Sequence, residues 1–193
     1  MNLPNKLTLL RILLVPVFMV LAGMGQYGTE SFSKGMYLAA GIVFALASFT
    51  DFLDGYLARK WKMVTDFGKF ADPLADKLLT TVAFLYMLRD GVCSPVVLSI
   101  VLFREFAVSG LRMVAAGAPG GKVIAANIWG KMKTVLQMVT IILYYFWAAL
   151  ADPTAIGLVW MVSSALCWVV AVVTALSGVK YLWDNRSFIN TAK

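Results

Sequence analysis

The decisive stretch of this sequence reads Asp51-Phe-Leu-Asp54-Gly55-Tyr-Leu-Ala58-Arg59, then eight residues, then Gly68-Lys-Phe-Ala-Asp72-Pro-Leu-Ala-Asp76-Lys77. It places four carboxylates within 26 residues. Residues three or four positions apart share one face of a helix, so Asp51 pairs with Asp54 and Asp72 with Asp76. Ionisable groups in apolar spans are costly and are kept mostly for function. The stretch therefore predicts a catalytic or ion-binding site at the ends of two neighbouring helices.

Composition places these carboxylates in a membrane protein. Of the 193 residues, 61% are hydrophobic and 14% are charged, and the mean hydropathy is +0.81. A soluble domain usually carries about 25% charged residues. A membrane-spanning helix needs about 20 mostly apolar residues, and six stretches qualify: 7–26, 35–58, 72–90, 94–116, 130–150 and 155–181. We predict an all-α integral membrane protein with six transmembrane helices in a single domain, 1–193.

The basic residues indicate how these helices are oriented. The net charge is +7, and fourteen of the seventeen Lys and Arg residues lie on the side that holds both termini. The positive-inside rule makes that side cytoplasmic, so the aspartates should face the cytoplasm of a plasma or inner membrane. Because the charges flank apolar spans, we expect anionic lipids or phosphorylated substrates as partners and no nucleic acid. Arg11 interrupts the first apolar run, which favours a retained helix over a cleaved signal.

The absence of histidine narrows the chemistry of the site. Four clustered carboxylates repel each other unless cations neutralise them, and an all-oxygen ligand set suits hard ions such as Mg²⁺ or Mn²⁺. Two divalent ions would balance the four charges, and two ions about 3.5–4 Å apart form a clamp for phosphoryl displacement. The alternative is a structural ion network in which the aspartates pair with Arg59, Lys69 and Lys77.

The run D-x-x-D-G-x-x-A-R-x8-G-x3-D-x3-D over residues 51–76 resembles the signature of the CDP-alcohol phosphatidyltransferases, without a departure at any fixed position. The resemblance implies a six-helix membrane fold, usually a homodimer, that transfers a phosphatidyl group from CDP-diacylglycerol to an alcohol and releases CMP. It implies that Asp51, Asp54, Asp72 and Asp76 bind metal and that Asp76 is also the base on the acceptor hydroxyl. The positions that match CDP-diacylglycerol contacts are Asn5, Thr8, Asp54, Gly55, Ala58, Arg59 and Thr65.

A second group of charges follows on the predicted fourth and fifth helices. Arginine binds phosphate in bidentate geometry and lysine supplies a mobile charge. We therefore predict a pocket for the phosphate of the acceptor, built from Arg104, Arg112, Lys131 and Lys133. Glu105 is expected to pair with Arg112, which lies seven residues further along the same helix. The alternative is that these cations only anchor the helices at the lipid interface.

Four stretches resemble the branch of the family whose acceptor is glycerol 3-phosphate: 5–11, 71–77, 104–112 and 130–134. This resemblance predicts synthesis of phosphatidylglycerophosphate for phospholipid production. The nearest alternative is a sister enzyme that uses inositol phosphate or phosphatidylglycerol as the acceptor. A membrane prenyltransferase also uses aspartate-bound Mg²⁺, but the fixed Gly, Ala and Arg positions argue against it. A cation transporter would carry its acids near mid-membrane on broken helices.

Overall fold

The computed structural model describes the backbone of residues 3–27, 29–61, 66–117 and 128–186, with the side chains of these ranges apart from 3–5, 51–76 and 116–117. Six α-helices make up most of this described part: α1 Leu3–Met24, α2 Glu30–Trp61, α3 Asp66–Arg89, α4 Pro95–Gly117, α5 Ile128–Leu150 and α6 Ile156–Asp184. A short 3₁₀ turn, Pro153–Ala155, precedes α6. The predicted all-α fold is confirmed, and each predicted span overlaps one helix.

The two helices that carry the aspartates are longer than predicted. α2 ends at Trp61 rather than at residue 58, and α3 begins at Asp66 rather than at residue 72. Asp54 therefore lies about two turns before the end of α2, and Asp72 nearly two turns after the start of α3. The prediction that the aspartates occupy the helix ends is wrong in this detail. Hydropathy marks only the apolar part of a helix, whereas polar residues can continue the helix beyond it.

The core draws buried residues from all six helices, and an aromatic part of it lies where α1, α2 and α5 meet. Ala40, Phe44 and Ala47 follow one another at spacings of four and three along α2, and all three are fully buried. This is the spacing of a single helix face. The ring of Phe18 from α1 packs against the rings of Phe44 and Tyr145, with centroids 6.0 and 5.3 Å apart. Small residues on α2 thus let neighbouring helices approach closely, as is common in membrane bundles.

The outer surface of the bundle is apolar. Leu13, Phe103 and Phe106 are 58%, 73% and 71% exposed, which fits a surface that contacts lipid rather than water. In the described part of the chain, four segments are long and apolar enough to cross a membrane: Lys6–Met24, Glu30–Thr50, Ile128–Leu150 and Pro153–Asp184. α4 is not among them because three charged residues interrupt it. The membrane-protein prediction is therefore confirmed.

The helix order defines two ends of the bundle. The signature end holds the second half of α2 and the first half of α3, which carry residues 51–76. α4 and α6 end there, and α1 and α5 begin there. The opposite end, called the Asp90 end below, holds the turns after α1, α3 and α5. The turn after α3 contains Gly91 at φ 76°, a conformation that glycine adopts without a steric cost.

Asp90 connects several parts of the chain at its end of the bundle. Its side chain is 7% exposed and accepts hydrogen bonds from the hydroxyls of Tyr37 and Tyr144, at 2.9 and 2.7 Å. The side-chain amide of Gln26 donates to the other carboxylate oxygen, and Arg89 lies 3.2 Å from it. These donors come from α2, α5, the turn after α1 and the end of α3. One carboxylate therefore holds four segments together.

Candidate active site at the signature end

The two aspartate pairs belong to adjacent helices. Asp51 and Asp54 lie in α2, Asp72 and Asp76 lie in α3, and residues 62–65 separate the two helices. So short a connection keeps both pairs at the same end of the bundle. The side chains of the four aspartates fall outside the described part, so their roles as metal ligands, and that of Asp76 as base, remain predictions. Elsewhere in the described part there is no group of three or more potential metal ligands.

Most of the positions predicted to contact CDP-diacylglycerol also fall outside the described side chains. The exception is Thr8 on α1, which is 1% exposed. One turn further along α1, the fully buried Arg11 donates a hydrogen bond from Nε to the carbonyl oxygen of Ala47 at 3.4 Å. Ala47 lies one helical turn before Asp51. α1 therefore brings a buried hydroxyl and a buried guanidinium group to the part of α2 where the signature begins. The positions outside the described side chains are Asn5, Asp54, Gly55, Ala58, Arg59 and Thr65.

A polar stripe on α4 contacts the helix that carries Asp76. Glu105, Ser109 and Arg112 are spaced by four and three residues, so they lie along one face of α4. Lys77, the residue after Asp76, donates a hydrogen bond from Nζ to Ser109 Oγ. This contact sets the charged part of α4 next to the second aspartate pair.

Glu105 joins two cationic side chains. Lys133 of α5 is 4% exposed, and its Nζ donates to Glu105 Oε1. Nη1 of Arg104 lies 3.5 Å from the same oxygen. The predicted pairing of Glu105 with Arg112 is wrong. Residues seven apart on a helix are separated by about 10 Å along its axis, whereas Lys133 approaches Glu105 directly from the neighbouring helix.

Two hydroxyl groups of α6 bind the arginines of α4. Nε of Arg104 donates to Ser177 Oγ at 3.1 Å, and Nε of Arg112 donates to Tyr181 Oη at 3.0 Å. We define the basic cluster by its four cations and one carboxylate: Lys77, Arg104, Arg112, Lys133 and Glu105. Three of the four residues predicted for the acceptor pocket therefore come together in the structure.

Lys131, the fourth predicted residue, does not join the basic cluster. It is exposed and makes no hydrogen bond or ion pair with another described residue. Because it lies two positions from Lys133, its side chain leaves a different face of α5. Its contact with the phosphate of the acceptor remains a prediction.

Sequence reasoning missed the hydroxyl groups that hold the cluster. Ser109, Ser177 and Tyr181 were not predicted, because single hydroxyls are common in apolar helices and carry little signal. The spacing of Ser177 and Tyr181, four residues apart on α6, is the pattern that could have indicated a polar face. Which residues that face would contact depends on how the helices pack.

An apolar groove of about 560 Å³ lies beside the cluster, between α4 and α6. Its lining includes Phe103 and Val179, whose side chains are largely exposed on the outer surface. Arg104 is the charged residue of this lining. Lipid chains therefore have access to the side of the cluster, and the guanidinium group of Arg104 lies where the apolar groove meets the polar interior.

Comparison with known proteins agrees with this geometry. The family model described as CDP-alcohol phosphatidyltransferase matches residues 1–179. A CDP-diacylglycerol–glycerol-3-phosphate 3-phosphatidyltransferase of Bacillus subtilis (strain 168) is 40% identical over 99% of this chain and 98% of its own length. Proteins with the same name from Pseudomonas fluorescens and Rickettsia typhi are 36% and 34% identical, over 94% and 97% of this chain and 89% and 98% of their own lengths. The chain belongs to the CDP-alcohol phosphatidyltransferase family.

Proposed function

We propose that this protein transfers the phosphatidyl group of CDP-diacylglycerol to sn-glycerol 3-phosphate, giving phosphatidylglycerophosphate and CMP. The relatives carry names for this activity. The observation that carries the choice of acceptor is the hydrogen bond between Lys77 and Ser109. It brings α4 to the helix that carries Asp76, and we assign the hydroxyl group of the acceptor to that region. The phosphate of glycerol 3-phosphate then supplies an anion for Arg104 and Arg112.

We assign binding of the phosphatidyl donor, CDP-diacylglycerol, to the signature residues 51–76. In this proposal Asp51, Asp54, Asp72 and Asp76 would hold two Mg²⁺ or Mn²⁺ ions, which would supply positive charge to the pyrophosphate and to the leaving group. The chemistry of the donor set fits, since four carboxylates and no histidine form an all-oxygen site for hard cations. The contacts to the CDP part of the substrate are assigned to Asn5, Thr8, Gly55, Ala58, Arg59 and Thr65.

We assign binding of the acceptor substrate, glycerol 3-phosphate, to the basic cluster. Arg104 and Arg112 each have Nε bound to a hydroxyl of α6, which fixes the direction of the planar guanidinium group. Lys133 is buried and held by Glu105. Arginine pairs with phosphate oxygens in bidentate geometry, while lysine acts as a point charge. An acceptor without a phosphate, such as serine or choline, would make no use of these oriented guanidinium groups. Lys131 would contribute from the exposed rim.

The reaction is one displacement at phosphorus. A hydroxyl oxygen of glycerol 3-phosphate bonds to the phosphorus that carries the diacylglycerol, and the bond from that phosphorus to the bridging oxygen breaks. CMP leaves with the electron pair of the broken bond. Asp76 takes the proton of the attacking hydroxyl. A carboxylate within hydrogen-bond reach is a sufficient base for a hydroxyl whose pKa a bound divalent ion would lower. Arg104 and Arg112 hold the acceptor so that its hydroxyl reaches the phosphorus.

The location of the reaction follows from the charge asymmetry. We place the chain in a plasma or inner membrane with the signature end in the cytoplasm, where most Lys and Arg residues lie. The water-soluble acceptor and CMP would then exchange with the cytoplasm while both lipids stay in the bilayer. A homodimer is the assembly we expect from the family.

The test is an acceptor panel. Purified protein in detergent micelles with CDP-diacylglycerol and Mg²⁺ receives glycerol 3-phosphate, inositol phosphate, phosphatidylglycerol or serine, and released CMP is measured. We expect glycerol 3-phosphate to give the fastest release. Serine, which has no phosphate, should be slower by at least about 100-fold, because each lost charged hydrogen bond costs about 1.5–3 kcal/mol. Faster release with inositol phosphate or phosphatidylglycerol would replace our acceptor assignment with that of a sister enzyme.

A further inference from the structure

One short segment of α6 contacts both arginines of the basic cluster. Ser177 and Tyr181 are four residues apart and therefore share a face of α6. They are 2% and 3% exposed, and each accepts the Nε hydrogen bond of one arginine of α4. The hydroxyls thus lie inside the bundle and face α4. Two neighbouring contacts on one helix turn set the direction of two separate guanidinium groups.

Two glycines make room for the side chain of Arg104. A Cβ atom at Gly178 would lie 3.0 Å from Arg104 Cγ, and a Cβ atom at Gly130 of α5 would lie 3.1 Å from Arg104 Nη2. Both distances are shorter than an ordinary van der Waals contact. Gly157, also on α6, has nothing within 4 Å of such an atom. The space at Gly130 and Gly178 is therefore filled by Arg104 specifically, which is held between α5 and α6.

These contacts leave the ends of the guanidinium groups for an anion. With Nε bound to α6, the two Nη groups of Arg112 are its remaining donors, and no acceptor among the described residues binds them. In Arg104, Nη1 lies 3.5 Å from Glu105 Oε1, so Nη2 is the remaining donor. An arginine whose stem is already held loses less side-chain entropy when it binds a phosphate than a mobile one does. The segment therefore prepares Arg112 for bidentate contact with phosphate oxygens and Arg104 for a contact through Nη2.

We propose that Ser177, Gly178 and Tyr181 are positioning residues that select a phosphorylated acceptor, acting through Arg104 and Arg112. This inference rests on the proposed function, since it assigns the acceptor phosphate to those two arginines. Ser177 and Gly178 fix Arg104 between the helices, and Tyr181 fixes Arg112. Specificity for the acceptor thus depends on α6, which lies apart from the signature in the sequence.

The test separates acceptor affinity from catalysis and from folding. KM for glycerol 3-phosphate, KM for CDP-diacylglycerol, kcat and the thermal unfolding midpoint are measured for Ser177→Ala, Gly178→Ala and Tyr181→Phe. We expect KM for glycerol 3-phosphate to rise about tenfold in each variant, which corresponds to the loss of about one charged hydrogen bond. We expect kcat and KM for CDP-diacylglycerol to stay within about twofold, since the donor site is untouched. Ser177→Thr keeps a hydroxyl and should restore most of the affinity, and Gly157→Ala should match the wild type.

The outcomes distinguish this inference from the function on which it rests. If Arg104→Gln raises KM for glycerol 3-phosphate but Ser177→Ala and Gly178→Ala do not, the positioning role is wrong and the acceptor site stands. If Arg104→Gln leaves that KM unchanged, the assignment of the acceptor site itself fails. Equal changes in both KM values, or Ser177→Thr behaving like Ser177→Ala, would show that the segment only supports the fold and would overturn the proposal.

Discussion

The two ends of this bundle arrange their charged side chains in different ways. At the Asp90 end, one carboxylate is surrounded by two tyrosine hydroxyls, an amide and a guanidinium group. A carboxylate accepts about four hydrogen bonds, so Asp90 has its full complement from the protein. In the basic cluster at the signature end, Arg104 and Lys133 contact Glu105, and hydroxyls of α4 and α6 accept hydrogen bonds from Lys77, Arg104 and Arg112. The first arrangement holds helices together, and the second sets the direction of several cations.

The two ends also differ in the type of hydrogen-bond donor that they present. Tyr37, Tyr144 and Gln26 are neutral, so they satisfy Asp90 without adding charge of their own. The basic cluster instead uses neutral hydroxyls on α6 to orient the guanidinium groups of Arg104 and Arg112. Oriented guanidinium groups suit the binding of phosphate oxygens. We therefore assign stability to one end and substrate binding to the other.

The largest expected effect is the difference in activity between substitutions of Asp76 and of Asp90. Asp76→Asn should lower CMP release by at least about 1,000-fold, because it removes both a metal ligand and the proton acceptor. Asp90→Asn should leave kcat of the folded enzyme unchanged. It should lower the stability by about 2 kcal/mol through weaker hydrogen bonds, or the unfolding midpoint by about 5 °C. Activity assays and thermal unfolding on both variants check the contrast.

Two results would contradict the predicted difference between Asp76→Asn and Asp90→Asn. Retained activity in Asp76→Asn would remove it as the base. Loss of kcat in a folded Asp90→Asn variant would show that the Asp90 end takes part in the chemistry. Chelation of divalent ions gives an independent check, since it should abolish CMP release without the unfolding expected from Asp90→Asn.

The next effect concerns the arginines of the basic cluster. Arg104→Gln and Arg112→Gln should each raise KM for glycerol 3-phosphate by about 10- to 100-fold, the equivalent of a charged hydrogen bond. KM for CDP-diacylglycerol should change by less than about twofold. Initial rates measured against each substrate in turn decide this. Equal effects on both substrates would argue that the arginines only support the fold.

A smaller effect should distinguish two lysines of α5. Lys133→Gln leaves Arg104 as the remaining ion-pair partner of Glu105. Glu105 then competes with the acceptor phosphate for Arg104, so KM for glycerol 3-phosphate should rise about tenfold. The double variant with Glu105→Gln removes this competing carboxylate and should recover part of the loss. Lys131→Gln is the matched control, and because Lys131 is exposed its effect should stay below about threefold. If Lys131→Gln has the larger effect, the exposed rim rather than the basic cluster binds the acceptor.

The smallest effect belongs to the hydroxyls at the Asp90 end. Tyr37→Phe and Tyr144→Phe each remove one hydrogen bond to Asp90 and should lower the stability by about 1 kcal/mol. Neither substitution should change KM for either substrate. Thermal unfolding and the kinetic assay, run on the same preparations, measure both quantities. A change in KM for glycerol 3-phosphate would mean that the two ends are coupled through α5.

Much of this architecture follows from the sequence, and the failures have a common physical cause. Apolar length predicted each helix because the bilayer core requires about 20 apolar residues. It missed the polar turns that extend α2 to Trp61 and start α3 at Asp66, since hydropathy does not register helix outside the apolar layer. The expected pairing of Glu105 with Arg112 failed because partners were sought on one helix. Lys133, Ser177 and Tyr181 lie on α5 and α6, and only helix packing brings them to α4.

The measurement that tests the central claim most directly is the identity of the lipid product. Purified wild-type protein is incubated with CDP-diacylglycerol, Mg²⁺ and glycerol 3-phosphate, and CMP and lipids are quantified by mass spectrometry. Our account predicts one phosphatidylglycerophosphate for each CMP and almost no CMP without the acceptor. CMP release at the same rate without glycerol 3-phosphate, or with phosphatidic acid as the product, would contradict it, because the basic cluster would then bind no acceptor phosphate.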